Sequence, residues 1–402
     1  MKHKHSGSLI LDVLTYFSTL VTVFMLGLIL FFLIREGIGL LRPALLTSDY
    51  FEQKYISSLP EDFNYYQGDL PTPDENDYVI EPYGLIVEES RDKAGATVVR
   101  VKYLSDDSPF RNLLNENPAF QDDSLSLEEG MVINRVAYEN TNSSLPSLGA
   151  NAMAEKLNNT DNVIRQLDFG VEGGGIRGSI IATVYLVLMT LLIALPIGIL
   201  TAVYFNEFAP SNRLTRAMRS FIETLTGVPS IIYGLLGIAV FVPITTSVLP
   251  TNSSNLVAGA LTLAVILLPV IIRTTEESLK TVPKSHRFAS LALGANKTQT
   301  TFKVVLPQAF SGILTATFLG IGRVIGESAA LIFVLGTAIK DQVRILEPAT
   351  SLAVHIFTVM SNEPANVELA TAIAVIILSI VLILNLSIKL TVYLFDRRKR
   401  SA

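Results

Sequence analysis

The sequence predicts an all-helical integral membrane protein with about six transmembrane helices. Half of the 402 residues are hydrophobic, 17% are charged, and the mean hydropathy is +0.45. Soluble domains usually carry about 25% charged residues. Six apolar runs each approach or exceed the roughly 20 residues that cross the hydrocarbon core of a bilayer. Between these runs, Lys and Arg gather in alternate segments, a pattern that is typical of membrane proteins with basic cytoplasmic loops.

The first apolar run predicts a transmembrane helix at 9–34, after a short N-terminal segment at 1–8. The run is too long for the core of a signal peptide, Arg35 bounds it, and no small-residue cleavage site follows it. We therefore expect a retained helix.

An acidic insert follows at 35–175. Between Glu36 and Gly170 the chain has 24 acidic and 10 basic residues, a net charge of −14, whereas the remainder has 12 acidic and 21 basic residues, a net charge of +9. Two runs, Gly84–Val87 and Ala96–Tyr103, have the composition of β-strands. We expect a small α+β or partly irregular domain between the first and second helices.

The remaining five helices are predicted within a membrane core at 176–396, and a basic tail follows at 397–402. Their approximate ranges are 178–205, 218–245, 256–272, 312–336 and 367–395. Prolines lie inside or at the ends of several of these runs. Membrane helices tolerate them because neighbouring groups satisfy the freed carbonyls.

Basic residues give the expected orientation. They lie in four segments: Lys2 and Lys4; Arg213, Arg216 and Arg219; Arg273, Lys280, Lys284, Arg287, Lys297 and Lys303; and Arg397, Arg398, Lys399 and Arg400. Six spans place all four segments on one side, which the positive-inside rule makes cytoplasmic. Both termini are therefore expected in the cytoplasm and the acidic insert outside it.

Several kinds of site are not expected. The chain has no cysteine, which excludes disulfides and thiolate metal sites, and its four histidines are too scattered for a metal cluster. No G-x-x-x-x-G-K-[ST] motif is present, and the glycine run at 173–178 follows no predicted strand, so we expect no bound nucleotide. Nucleic-acid binding is disfavoured because the basic residues flank apolar spans.

A cytoplasmic loop at 275–308 separates the fourth and fifth spans, although adjacent helices need only a few connecting residues. Its pattern predicts two short amphipathic helices, the first with Phe288, Leu291 and Ala292 on one stripe. Gly294 is expected to end that helix in a left-handed turn. The second is expected at about 298–305.

This loop resembles the EAA loop of binding-protein-dependent ABC importers. In that family the loop forms a coupling helix that docks into a groove of a separate ATPase subunit. Phe288, Ala289 and Ser290 stand where the family has Glu-Ala-Ala, whereas Gly294 and the Leu-Pro pair match the family. The resemblance implies that the residues coupling to the ATPase are Phe288, Ala289, Ser290, Leu291, Gly294, Leu306 and Pro307.

A second motif spans Glu223–Gly237. Taken alone, it predicts a kinked membrane helix with small residues for close helix packing. The run Gly-Val-Pro-Ser-Ile-Ile-Tyr-Gly within it resembles phosphate ABC transporter permeases of the PstA type. The residues assigned to packing or a hinge here are Gly227, Pro229, Ser230 and Tyr233.

The third motif places Arg323 and Glu327 in the middle of the fifth span. A central charge costs roughly 2.5–3.5 kcal/mol on insertion scales, so its presence indicates a function by default. The i, i+4 spacing predicts that both side chains project from one helix face, where Glu327 would orient Arg323. Gly322 and Gly326 form a G-x-x-x-G, which is expected to allow close helix packing. The simpler alternative is an ion pair that only fixes bundle geometry.

The stretch Gly-Arg-x-x-Gly-Glu-Ser also resembles the phosphate permeases, and implies that Arg323 and Glu327 line the substrate pathway. The whole resemblance implies an ABC importer permease fold, with 176–396 as the permease core, in a bacterial inner membrane. Its implied partners are a second permease in a heterodimer, two ATPase subunits and an extracytoplasmic phosphate-binding protein. ATP would be hydrolysed by the partner, so the chain itself is expected to be no enzyme and to bind no cofactor.

From the residues alone, two other function classes stay open. An ion-coupled secondary anion transporter or channel could also hold Arg323 and Glu327 within a bundle. A membrane-anchored sensor or scaffold could use the acidic insert as its working part. The insert itself is either a tolerated surface insertion or a docking platform for the binding protein.

Overall fold

The computed structural model describes residues 3–60, 62–74, 76–91, 97–116, 124–171, 173–251, 253–362 and 365–401. The chain divides into two compact units. We call Ser48–Gly175 the insert domain, and Met1–Thr47 together with Ile176–Ala402 the membrane unit.

The helices of the described residues are numbered in chain order. They are α1 (His3–Gly37), α2 (Pro43–Thr47), α3 (Ala150–Asn158), α4 (Arg177–Val203), α5 (Arg213–Thr226), α6 (Ser230–Leu236), α7 (Val242–Val248), α8 (Leu256–Thr281), α9 (Lys284–Ala292), α10 (Lys297–Thr300), α11 (Leu306–Gln308), α12 (Phe310–Gly326), α13 (Ala329–Leu335), α14 (Leu352–Ser361) and α15 (Val367–Ser401). The helices α4, α6 and α10 continue into π-helical turns at Tyr204–Phe208, Gly237–Phe241 and Thr301–Val305.

The predicted all-helical membrane fold is confirmed. Within the described residues, five helical segments are long and apolar enough to cross a bilayer, namely Leu11–Leu40, Arg177–Phe208, Ser230–Val248, Leu256–Thr281 and Val367–Thr391. A sixth candidate is the pair Lys297–Gln308 and Phe310–Gly326, which bends by 64°. Six spans therefore result when this pair counts as one.

The third span begins later than predicted. The sequence predicted one helix at 218–245, whereas α5 ends at Thr226 and the helix resumes at Ser230. Between them, Pro229 has φ −58° and ψ 138° and has no N–H to offer the helix ladder. The helix α5 is a separate amphipathic segment that carries the arginines, and the apolar span is Ser230–Val248.

The fifth span is not the single helix predicted at 312–336. The helix α12 ends at Gly326 and α13 begins at Ala329. Glu327 lies between them with φ −77° and ψ 118°, which is extended backbone. The cause lies in the side-chain contacts of Glu327, described below.

The helix α8 forms the centre of the membrane unit. Its buried side chains, which include Leu263, Leu267 and Ile271, pack against α4, α12 and α13. Asn255 caps its first turn by accepting a hydrogen bond from the backbone N–H of Ala258 at 2.9 Å. Gly198 of α4 permits close contact, since a Cβ there would lie 2.6 Å from the Ile271 side chain.

The insert domain is an antiparallel sheet with one helix, α3, packed on it. Its strands are β1 (Gln53–Ser58), β2 (Asp77–Ile80), β3 (Leu85–Arg91), β4 (Thr97–Leu104), β5 (Leu113–Asn115), β6 (Ser124–Leu125), β7 (Val132–Tyr138) and β8 (Ile164–Val171). Their order across the sheet is β2-β3-β4-β7-β8-β1-β5-β6. The core includes Tyr83 and Phe110, whose stacked rings have centroids 4.6 Å apart.

The two predicted strands correspond to β3 and β4. Gly84, which was predicted to begin the first of them, instead ends a 3-10 turn with φ +63°. That conformation is accessible to glycine at little cost, and it explains why the strand starts one residue later. Ala96, the predicted start of the second strand, lies outside the described residues.

Candidate functional site

Two helix breaks in the described part of the membrane unit bear on the site, and the first of them separates α5 from α6. Pro229 removes a backbone donor and directs the chain out of the helix. The hydroxyl of Tyr233 donates to the backbone carbonyl of Leu225 at 2.7 Å, which joins the two sides of the break. The predicted hinge residues Pro229 and Tyr233 therefore lie at a break in the helix.

The second interruption is at Glu327, between α12 and α13. One carboxylate oxygen, Oε1, accepts a hydrogen bond from the backbone N–H of Ala330 at 3.3 Å. This contact satisfies a donor in the first turn of α13, which has no partner within the helix. The side chain of Glu327 thus favours a new helix start over continuation of α12.

The two breaks meet through their side chains. The hydroxyl of Ser230, at the first residue of α6, donates to Oε2 of Glu327 at 3.0 Å. Both carboxylate oxygens of Glu327 therefore have a donor, and the residue is only 9% exposed. A buried carboxylate in a membrane needs such partners, because water cannot supply them.

Arg323 and Glu327 do not form the predicted pair on one helix face, although both residues line the same narrow crevice against α8. Glu327 is buried beyond the end of α12, whereas Arg323 is exposed on α12. Among the described residues, no ion pair or hydrogen bond involves the Arg323 guanidinium. The described donors to the Glu327 carboxylate are the Ser230 hydroxyl and the Ala330 N–H, so Glu327 does not orient Arg323 in this conformation.

Arg323 lies on an exposed stripe of α12. The stripe follows the helical spacing and comprises Thr315, Leu319, Arg323 and Gly326. On the side of Arg323 towards α8, the described residues leave a narrow crevice bounded by Leu263, Leu267 and Glu327. The exposed stripe is therefore the open side of Arg323 in the described part of the chain.

Within the described residues of this single chain, Gly322 and Gly326 make no close helix contact, so the predicted close packing there stays a prediction. No atom lies within 4 Å of a Cβ placed on Gly326, and the nearest to one on Gly322 is a Val381 methyl at 3.9 Å. The close contact is at Gly234 instead, where a Cβ would lie 2.8 Å from the Ala330 carbonyl oxygen. Gly234 therefore lets α6 pack directly on α13.

The loop at 275–308 contains the two predicted helices, α9 and the segment from α10 to α11. Gly294 has φ +87°, the left-handed conformation expected for a residue that ends α9. The second helix begins at Lys297 and reaches Gln308, further than the predicted 298–305, because a π-helical turn carries it on to α11.

Most of the predicted coupling residues are accessible. Phe288 and Leu291 are 66% and 45% exposed, and Leu293, which was not among the predicted residues, is 91% exposed. Ala289, Gly294 and Pro307 are also exposed, whereas Ser290 and Leu306 are half-buried. The hydroxyl of Ser290 pairs with that of Thr300 at 3.0 Å and links the loop's two helices. The loop therefore presents an apolar surface on a defined support.

Sequence reasoning missed the charges that hold this loop in place. Arg287 donates to Glu207 at 2.8 Å, to the Val282 carbonyl at 2.6 Å and to the Leu279 carbonyl at 2.9 Å. Glu207 belongs to the π-helical turn that ends α4, so one side chain joins α4, the end of α8 and α9. The sequence did contain a signal for this ion pair, since Glu207 is the one acidic residue between the predicted second span, at 178–205, and the arginines of α5.

A second cluster joins α5 to α8. Arg219 pairs with Glu276 and donates to the Phe205 carbonyl at 2.6 Å, and Lys280 also pairs with Glu276 at 2.9 Å. The guanidinium of Arg219 also lies over the Phe205 ring, 5.4 Å from its centroid. Basic residues that the sequence explained only as topology signals therefore also hold α5 and the C-terminal end of α8 together.

Comparison with known proteins decides the family. Residues 194–401, about half of the chain, match the family described as binding-protein-dependent transport system inner membrane component. The chain belongs to this family. Such permeases are membrane subunits, so the secondary-transporter and sensor alternatives are set aside, and the family implies an ATPase and a substrate-binding protein as partners.

Individual relatives support the PstA-type resemblance, which is confirmed. The chain is 37% identical over 233 residues to a probable ABC transporter permease protein, YqgI, of Bacillus subtilis strain 168, covering 54% of this chain and 76% of the relative. It is 33% identical over 220 residues to the phosphate transport system permease protein PstA of Pasteurella multocida strain Pm70, covering 54% of this chain and 75% of the relative.

Among solved structures, an inward-facing methionine ABC transporter matches with 22% identity and a TM-score of 0.42, covering 55% of this chain and 93% of that chain. The family match begins at residue 194, so the insert domain lies outside it. Nothing in these similarities assigns a role to the insert.

Proposed function

We propose that this permease forms half of the translocation pathway of an ATP-driven importer for inorganic phosphate. The observation that carries the proposal is the exposed guanidinium of Arg323 on α12, without an ion-pair partner among the described residues. Facing lipid at that depth would cost roughly 2.5–3.5 kcal/mol. The cost is avoided if the stripe around Arg323 faces a second permease and a polar pathway between the two subunits.

Phosphate is the substrate that the chemistry and the relatives favour together. A guanidinium offers donors in a planar fork that fits the oxygens of a tetrahedral oxyanion. Sulfate would also fit that fork, so the chemistry alone selects only the anion class. Relatives named as phosphate transport permeases, including the protein from Pasteurella multocida, favour phosphate within this class.

The coupling step is assigned to α9. Its exposed apolar residues Phe288 and Leu291, with Leu293 beside them, suit a groove in a separate ATPase. ATP-driven closure of two such ATPase subunits would move α9 of each permease and rock the pair between outward-facing and inward-facing states. The chain itself would bind no cofactor, and ATP would be hydrolysed by the partner.

The same proposal gives the membrane, the orientation of the chain and the role of the insert domain. The permease lies in a bacterial inner membrane with both termini in the cytoplasm, because the basic segments then face inwards. A binding protein outside the membrane delivers phosphate, and the insert domain is proposed as its docking platform. The insert is too acidic to attract anions by charge, so a substrate-collecting role is disfavoured.

Phosphate uptake by whole cells that carry Arg323→Gln tests the proposal. The matched control is Arg273→Gln, which removes an exposed arginine whose ion pair among the described residues is with Glu277, at 3.2 Å, on the same helix. We expect loss of uptake in the first variant and near-normal uptake in the second, with equal membrane levels. Near-normal uptake in Arg323→Gln would refute the assigned role.

A further inference from the structure

We infer that Ser230 is a positioning residue that holds Glu327 away from Arg323, so that the guanidinium stays available to the transported anion. This inference rests on the proposed function for its transport readout. It starts from the hydrogen bond of 3.0 Å that the Ser230 hydroxyl donates to Oε2 of Glu327.

Arg323 and Glu327 are spaced to neutralise each other. Four residues apart, they would be neighbours on one face if α12 continued for one more turn. An intrahelical ion pair of this kind would occupy the donors that an anion needs, and would compete with it directly. In the structure the pair is absent, because the helix ends at Gly326 and Glu327 turns inwards.

Two contacts hold Glu327 in its inward position. The backbone N–H of Ala330 binds one carboxylate oxygen at 3.3 Å, which is a long hydrogen bond. The Ser230 hydroxyl binds the other oxygen at 3.0 Å and is the only side-chain donor to Glu327 among the described residues. Ser230 is therefore the contact that a substitution can remove without altering the backbone of α13.

The position of Ser230 is itself well defined. Pro229 precedes it and fixes the start of α6, and Gly234, one turn later, packs against the Ala330 carbonyl. The packing of α6 on α13 therefore sets the distance between Ser230 and Glu327. A threonine keeps the hydroxyl at this place, whereas an alanine removes it.

Transport kinetics of the assembled complex, with binding protein and ATP, test the inference through three variants. In Ser230→Ala, Glu327 is freed to pair with Arg323. We therefore expect the apparent KM for phosphate to rise roughly tenfold, which corresponds to the loss of about one hydrogen bond to a charged group. Ser230→Thr should keep the wild-type KM. In Ser230→Ala combined with Glu327→Gln, KM should return towards the wild-type value, since a neutral amide does not neutralise Arg323.

A purely structural role of Ser230 predicts a different pattern. Loss of packing in Ser230→Ala would lower stability and maximal rate, and Glu327→Gln would not repair it. An unchanged KM in Ser230→Ala overturns the inference. So does a double variant that keeps the raised KM or shows no uptake.

A second measurement needs no transported anion. If Ser230 holds the carboxylate in place, hydrogen exchange at the Ala330 amide in the purified, assembled transporter should be faster in Ser230→Ala and unchanged in Ser230→Thr. Equal exchange in all three proteins overturns the inference. Absence of phosphate uptake by the wild-type complex would instead contradict the proposed function, and the exchange result would still decide the role of Ser230.

Discussion

Arg287 of α9 and Glu207 at the end of α4 form a two-point ion pair, with Nη2 2.8 Å from Oε1 and Nε 3.4 Å from Oε2. Both side chains are largely buried, at 19% and 10% exposure. The same guanidinium also binds the carbonyls of Leu279 and Val282. The second transmembrane helix and the loop at 275–308 are thereby connected through one side chain.

Arg287→Gln is expected to displace α9 and to leave Glu207 buried without its cation. Removing one partner of a buried ion pair costs about 3–5 kcal/mol. We expect a lower unfolding temperature and weaker co-purification of the ATPase. Arg273→Gln is the matched control, because its ion pair with Glu277 is about 60% exposed on both sides and should contribute little. Equal ATPase recovery from the two variants would show that the ion pair does not position the loop.

The turn at Gly294 provides a second prediction. A residue with a Cβ at φ +87° has a strained backbone, at a cost of about 1–2 kcal/mol. A clash does not add to this cost, since no described neighbouring atom lies within 4 Å of a Cβ placed on Gly294. Gly294→Ala should therefore reorient the end of α9 and reduce coupling between ATP hydrolysis and uptake. Gly294→Asn should be milder, because asparagine tolerates the left-handed conformation. The measurement is ATP hydrolysed per phosphate imported, and an Ala variant that is better coupled than the Asn variant would contradict the prediction.

Phe288 tests the docking surface itself. The ring is 66% exposed on the isolated chain, so Phe288→Asp should leave the fold of the permease intact. A charge in an apolar groove without a partner is costly, and we expect the variant to lose the ATPase during purification. Leu148→Asp, at a 59% exposed leucine of the insert domain, should retain it. Retention of the ATPase by both variants would remove α9 from the docking interface.

The insert domain can be removed at a place that the structure defines. Its two ends are adjacent, since the N–H of Gly174 donates to the Tyr50 carbonyl at 2.7 Å and that of Gly175 to the Asp49 carbonyl at 2.9 Å. Replacing 50–174 by a short Gly-Ser linker should preserve expression and ATPase association. We expect phosphate uptake, and stimulation of ATP hydrolysis by the binding protein, to fall. Unchanged uptake would show the insert to be a tolerated addition.

Composition and periodicity were sufficient to predict the membrane fold and the two-helix form of the loop at 275–308. Long apolar runs have few alternatives to a spanning helix, because lipid offers the backbone no hydrogen bonds. The late start of the third span was also visible in principle. Three arginines in 213–219 and Pro229 after them mark α5 as a separate amphipathic helix.

The break at Glu327 was not predictable from local sequence. No proline accompanies it, and the i, i+4 spacing of the charges suggested a continuous helix. The break depends on contacts with Ser230, almost a hundred positions away in sequence, and with the first turn of α13. The G-x-x-x-G of Gly322 and Gly326 predicts only a spacing, whereas the helix face that becomes covered depends on the fold and on partner subunits.

ATP-dependent phosphate accumulation in proteoliposomes tests the central claim most directly. The vesicles would hold the purified permease pair with its ATPase, with binding protein added outside and ATP inside. The account predicts accumulation with the wild-type chain, and none with Arg323→Gln at equal assembly and with a retained ability to hydrolyse ATP. Uptake without ATP, or accumulation by the Arg323→Gln complex at the wild-type rate, would contradict it.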